Sequence, residues 1–266
     1  MTSARCLLLA ATLTVAAAAS PARADESHWP SIRDALFPNR ELKDGSGLIR
    51  LDAPYRAEDA AVVPITIKAL VPQAPDRYIA ALHLIIDQNP APEAAVFHLH
   101  PENGEATIST RVRVNEYTSV HVVAETSDGG LYVVDRFVKA AGGCSAPALK
   151  DKETAMARLG QMRLRPETPF TPDQPNQLHL LISHPNYSGL QIDQLTRNWI
   201  PADYVRSVRV SYAGKPVLEI DGDISVSEDP SFTFDLVPRE PGALQVVVDD
   251  SSGRHFEKSF DLGAGS

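Results

Sequence analysis

The 266-residue chain is poor in cysteine, with two, and in aromatic residues, at 6%, and its 25 lysines and arginines are outnumbered by 34 aspartates and glutamates. A formal charge of −9 argues against nucleic acid as a partner, since phosphate binding is driven by clustered cations. No apolar run reaches the roughly 20 residues of a membrane-spanning helix. The longest, Leu7 to Ala19, follows Arg5 and precedes Ala22-Arg23-Ala24, a small-x-small site. That order predicts a cleaved secretory signal over residues 1–24, and with it a periplasmic protein with no membrane span.

Cleavage leaves 242 of the 266 residues, removes two basic side chains and no acidic one, and takes the charge from −9 to −11. It also removes Cys6. The mature chain is then left with one thiol, Cys144, which rules out an internal disulfide in a compartment where thiols normally pair. Also missing are Gly-x-Ser-x-Gly, His-Glu-x-x-His and a glycine-rich phosphate loop, so no hydrolase, zinc-protease or nucleotide signature is present.

What is present is alternation with period 2, the pattern of strands with one buried face. Ala106, Ile108, Val112 and Val114 share one face of a segment whose other face carries Thr107, Ser109, Arg111 and Arg113. Further strands are predicted at Val62 to Leu70, Tyr78 to Asp87, Ala95 to His100, Ser119 to Glu125 and Leu131 to Lys139. A second group covers Gln177 to His184, Ser207 to Tyr212, Pro216 to Asp221, Phe232 to Leu236 and Leu244 to Asp249. Asn103-Gly104, Asp128-Gly129-Gly130 and Ala213-Gly214 supply hairpin turns, and Pro64 marks an edge strand. Helix is expected only at His28 to Phe37 and, midway, at Ala148 to Leu159, with Gly160 as its stop. The fold class is therefore all-β: two immunoglobulin-like sandwiches joined by a short helical linker. The boundaries are a signal at 1–24, a helical segment at 25–47, a first sandwich at 48–144, a linker helix at 145–159 and a second sandwich at 160–266.

Cys144 sits in Ala140-Ala141-Gly142-Gly143-Cys144-Ser145-Ala146-Pro147, where every neighbour but the proline is tiny. A flexible arm that carries a reactive sulfur into a narrow site needs that composition, while a buried turn cysteine is the plainer alternative. Ser145 is placed to cap the linker helix, which together with Lys150 and Lys152 would favour the thiolate. His98 and His100, two apart on the polar face of one strand, are weak metal candidates beside the plainer reading of a solvated face. His179 and His184 have opposite parity and do not share a face of one regular strand.

Taken together, Ala61-Val62-Val63-Pro64-Ile65, Asn89-Pro90-Ala91-Pro92, Thr110-Arg111-Val112-Arg113 and Gly142-Gly143-Cys144 resemble SoxY, the sulfur-carrying subunit of bacterial thiosulfate oxidation. Met162-Arg163-Leu164-Arg165, Leu181-Ile182-Ser183-His184-Pro185 and Val210-Ser211-Tyr212-Ala213-Gly214-Lys215-Pro216-Val217 resemble its companion SoxZ. A fusion in this order is similar to SoxYZ-like carriers associated with quinoprotein dehydrogenases. The resemblance implies a noncatalytic protein without a resident cofactor, covalent carriage of a sulfur intermediate on Cys144 and arm flexibility from Gly142 and Gly143. It also implies intramolecular SoxY–SoxZ pairing, with Sox-type enzymes or a quinoprotein dehydrogenase and cytochrome c as partners. Two features depart from the family: its Gly-Gly-Cys-Gly-Gly tail continues here as Ser145-Ala146, and the cysteine is internal. The family's His-Pro-Met-Glu-Thr-Gly stretch reads His184-Pro185-Asn186-Tyr187-Ser188-Gly189. The alternatives are a cargo-free interaction or assembly module for a quinoprotein dehydrogenase and, less favoured, a metal chaperone using His98 and His100.

Overall fold

The computed structural model describes residues 28–74, 76–148, 152–167 and 169–262; the expected leader, and Lys150, lie outside them. The first half contains α1 (Trp29–Leu36), β1 (Leu42–Asp44), β2 (Ile49–Asp52), β3 (Val63–Ala69), β4 (Ile79–Ile86), β5 (Glu93–Leu99), β6 (Thr107–Val112), β7 (Thr118–Thr126) and β8 (Leu131–Val138). After α2 (Lys152–Ala157) come β9 (Met162–Pro166), β10 (Asn176–Ile182), β11 (Val205–Tyr212), β12 (Lys215–Gly222), β13 (Ser231–Leu236), β14 (Ala243–Asp250) and β15 (His255–Asp261). The turn chemistry follows the sequence. Ala213 and Gly214 both have positive φ, 49° and 79°, between paired Tyr212 and Lys215, as a tight hairpin between right-twisted strands requires.

Two sheets face each other, and both run unbroken through the two halves. The nine-stranded sheet has the order β1-β8-β7-β4-β5-β12-β11-β14-β15, and the six-stranded sheet β2-β3-β6-β13-β10-β9. The halves join where β12 pairs with β5, from Leu218 opposite Leu99 to Gly222 opposite Ala95, and where β13 pairs with β6 at Thr233–Ser109 and Phe234–Ile108. Edge-to-edge pairing at the two junctions covers four strand edges and shares one apolar layer between the halves. Phe97 of β5 meets Phe232 of β13 across that layer, ring edge to ring face, with centroids 6.2 Å apart.

Three local expectations change. β3 is not an edge strand, because it lies between β2 and β6. Pro64 is tolerated because β2 ends at Asp52, opposite Thr66, so the proline has a strand on one side only, at Arg111. The helix in the linker is shorter than Ala148 to Leu159, covering Lys152–Ala157 among the described residues. The segment before the first sandwich also contributes a strand, since Leu42–Asp44 pairs parallel to Leu131–Val133. Among the described residues, no helix is long and apolar enough to cross a membrane.

Candidate functional site

The last strand of the first half hands the chain to the small-residue arm. Beyond β8, Gly142 donates its N–H to the Asn115 carbonyl at 2.7 Å and Gly143 donates to that of Val114 at 2.9 Å. The two glycines do different jobs. Gly142 has φ of 79° with open space where a Cβ would go, so it supplies the left-handed turn. A Cβ on Gly143 would lie 2.0 Å from the Ala60 carbonyl oxygen and 2.7 Å from that of Val114. Gly143 is therefore a close-approach glycine that lets the arm lie flat on the backbone of the first half.

The second half closes over the arm. Its loop 184–191 reaches Cys144, whose carbonyl accepts a short hydrogen bond from Ser188 Oγ, and Gln191 Nε2 donates to the Ala146 carbonyl at 2.8 Å. Buried Asn186 holds the loop, with positive φ of 45°, its side-chain amide donating to the Val226 carbonyl at 3.1 Å and its Oδ1 accepting from the Val205 N–H at 3.0 Å. His184, also buried, accepts the Asn186 N–H at Nδ1, 3.0 Å away, so its Nε2 carries the proton and faces Asp250 at 3.4 Å. Burial pushes the His184 pKa below its ordinary value against the pull of Asp203 and Asp250.

Cys144 is fully buried, at 0% exposure. Loss of hydration pushes its thiol up to about 11, against a downward pull from Arg113. The expected thiolate at a helix start is therefore reversed: in this closed arrangement the sulfur is a neutral thiol, and Ser145 Oγ donates to the Gly142 carbonyl, 3.3 Å away, within the arm itself. Arg113, read from alternation as an outward residue, is 2% exposed because loop 184–191 covers that face. Its Nη2 donates to the Asn186 carbonyl at 2.9 Å, and its Nε has no acceptor. No sequence signal separates it from Arg111, two residues earlier on the same strand face. What buries Arg113 is a loop more than 70 residues away.

The two candidate histidines face different carboxylates. His98 faces Asp221 at 3.1 Å, and His100 lies past the strand end with Glu219 at 3.9 Å. Among the described residues, the one group of three ligating side chains close enough to share a cation is His184, Asp203 and Asp250, with donor atoms within 4.8 Å of one another. Arg254 already bridges these two carboxylates, so a guanidinium supplies the positive charge there. A separate open cavity of about 800 Å³ lies at the sandwich edge, lined by Arg111, Arg163, Arg165, Lys258, Leu181 and Phe260, and so concentrates cations on an acidic chain.

A family model described as sulfur oxidation protein SoxY matches residues 33–144, and one described as sulphur oxidation protein SoxZ matches residues 163–261. No curated protein sequence matches the chain. Among solved structures, the sulfur carrier protein SoxY from Chlorobium limicola f thiosulfatophilum is similar at 26% identity and a TM-score of 0.36, covering 42% of this chain and 91% of that one. A superoxide reductase (neelaredoxin) from Ignicoccus hospitalis is similar at 11% identity and a TM-score of 0.32, covering 41% and 90%. The chain thus joins a member of the SoxY family, ending on Cys144, to a member of the SoxZ family in one polypeptide.

Proposed function

We propose that the protein is a noncatalytic periplasmic carrier that holds a sulfur intermediate covalently on Cys144 and presents it to redox enzymes. The observation that carries this reading is positional. The SoxY match ends on Cys144, which is also the single cysteine outside the expected leader and lies on an arm of small residues. With thiosulfate as cargo, the Cys144 thiol forms a bond to its outer sulfur and gives up a proton and two electrons. A c-type cytochrome partner takes up those electrons, so the carrier needs no redox cofactor of its own. Because the sulfur is buried and protonated in the closed arrangement, loading and presentation require the arm to lift off loop 184–191.

Intact-mass measurement on protein isolated from its native periplasm tests the proposal. The expected result is a sulfur-containing mass increment on Cys144 that Cys144→Ala lacks, together with loss of pathway function in that variant. A thiol that is always free, with a fully functional Cys144→Ala, overturns it. That same outcome would favour the second reading, a cargo-free module that docks on a quinoprotein dehydrogenase. The cationic edge cavity supports this alternative, since it suits an acidic partner segment. Charge reversal at Arg163 and Arg165 would then abolish function while Cys144→Ala stayed silent.

A further inference from the structure

Arg113 is a buried cation left without an anion. Among the described residues no carboxylate comes within the 4.0 Å of an ion pair with it, and Glu228 and Asp59 act on it only through longer-range attraction. A buried guanidinium without a counter-ion is costly, by several kcal/mol for an unpaired charge. It lies beside the arm's seat for a geometric reason. Gly143 bonds to Val114, the next residue along, and loop 184–191 holds Arg113 through the Asn186 carbonyl and Cys144 through Ser188. Side-chain donors of the same loop are already committed: Ser188 Oγ to the Cys144 carbonyl, Gln191 Nε2 to that of Ala146 and Asn186 Nδ2 to that of Val226. The Arg113 Nε–H, by contrast, is buried without an acceptor.

We infer that Arg113 is a positioning residue that makes the closed arm selective for an anionic, sulfonate-ended group on Cys144 over a neutral one. The inference rests on the carrier reading and assigns to Arg113 the recognition of that cargo's negative end. Such a group brings a permanent negative charge and oxygen acceptors to a guanidinium whose planar fork suits them. A neutral alkylthio group leaves Arg113 unpaired. The arm thus closes over a charged intermediate and shields it, and opens more readily once the sulfonate has been removed.

The test installs two groups of matched skeleton on Cys144 of the processed chain, unfolded in urea and then refolded. Tetrathionate gives Cys–S–S–SO3⁻, the thiol displacing thiosulfate and releasing a proton. Methyl methanethiosulfonate gives Cys–S–S–CH3, releasing methanesulfinate and a proton. For each adduct, the rate of removal by dithiothreitol is measured folded and in urea, and the ratio is its protection. A hydrogen bond to a charged group predicts protection about tenfold greater for the sulfonate adduct, lost in Arg113→Met and partly kept in Arg113→Lys. Where Arg113→Met fails to fold, wild-type protein bearing 2-sulfonatoethylthio or 2-trimethylammonioethylthio groups replaces it, and the anionic group must be the better protected. Equal protection in the wild type, or greater protection of the methylthio adduct, overturns the inference and leaves the carrier reading standing. A native thiol that is never loaded overturns the carrier reading without altering this comparison, because the adducts are installed chemically.

Discussion

Replacing Gly143 by alanine tests whether the closed arm is what silences the thiol. The added methyl would meet backbone atoms alone: the Ala60 carbonyl oxygen at 2.0 Å, its carbon at 2.6 Å and the Val114 oxygen at 2.7 Å. Ala60 sits in the turn before β3 and Val114 just past β6, and the two are tied together by the Val114 N–H donating to the Ala60 carbonyl at 2.8 Å, so an ångström of clearance is gained by lifting the arm. Lifting breaks the bonds from Gly142 and Gly143 to Asn115 and Val114 and strips the Ser188 and Gln191 side chains of their acceptors. Free of burial, the thiol returns from about 11 toward its ordinary 9.0. Two units correspond to about a hundredfold more thiolate at any pH below the lower value, and solvent access adds to that. The assay is the second-order rate of Cys144 with an aromatic disulfide reagent across the neutral to alkaline range, with circular dichroism as a check on the sheets. Gly142→Ala is the control. Its space is open, and it pays only the left-handed backbone cost of about 1–2 kcal/mol. A Gly143→Ala protein with folded sheets and an unchanged thiol rate would refute the argument.

Four further outcomes follow from the same geometry. Phe232→Ala removes a ring shared by both halves and costs about 3–5 kcal/mol; calorimetry should show one transition shifted down, and two independent transitions would contradict the shared layer. Burial and the nearby Glu105 push the Asp235 carboxyl up to about 7, so its contribution to stability is full below 3.8 and is lost as pH rises toward 7. Asp235→Asn should then gain stability on the order of 4 kcal/mol in urea titrations at alkaline pH and little in acid, and a pH-independent effect would contradict this. Buried His184 has a depressed pKa, so its support for loop 184–191 is full above 6.5 and fades as pH falls; hydrogen exchange in that loop should speed up in acid, and an unchanged rate would contradict its burial as a neutral base. Cutting an engineered protease site between residues 148 and 152 should leave the halves associated through β5–β12 and β6–β13, and Cys144 as slow as before toward small reagents. Dissociation on gel filtration would contradict this.

Much of the scaffold is legible in the sequence because both its faces follow local rules. Ile108 and Val112 point inward as their parity requires, and Ala213-Gly214 turns the chain as its dipeptide predicts. The short strands β1, β2 and β9 escape the alternation reading, since three to five residues carry too few alternations to stand out from loop, and so does the seven-residue β15, an edge strand with only Phe256 and Phe260 packed against the core. The site is legible only in part. Cys144 is marked by its solitude and Gly142-Gly143 by composition, but the division of labour between the glycines depends on Ala60, which is more than 80 residues away. Arg113 could not be singled out. Its neighbours are long-range, and an arginine on the polar parity of a strand reads as solvated until a loop is seen to cover it.

The placement of the arm changes the role of the second half. An arm of eight residues free at one end would reach roughly 27 Å, and one tethered at both ends about half that, so a partner has to approach the surface rather than receive a long probe. The groups that hold the arm down, Ser188 and Gln191, and the carbonyl that holds Arg113, that of Asn186, all belong to the SoxZ-family segment. Ser188 and Asn186 stand in the stretch where this chain departs from the family's His-Pro-Met-Glu-Thr-Gly. That stretch has become the seat of the arm of its own chain, and because seat and arm share one polypeptide, closing is intramolecular and independent of protein concentration. If the protein is the carrier proposed above, a partner that lifts the arm must displace loop 184–191 from the Cys144 and Ala146 carbonyls, and the strength of that hold, more than the length of the arm, would set when Cys144 is offered.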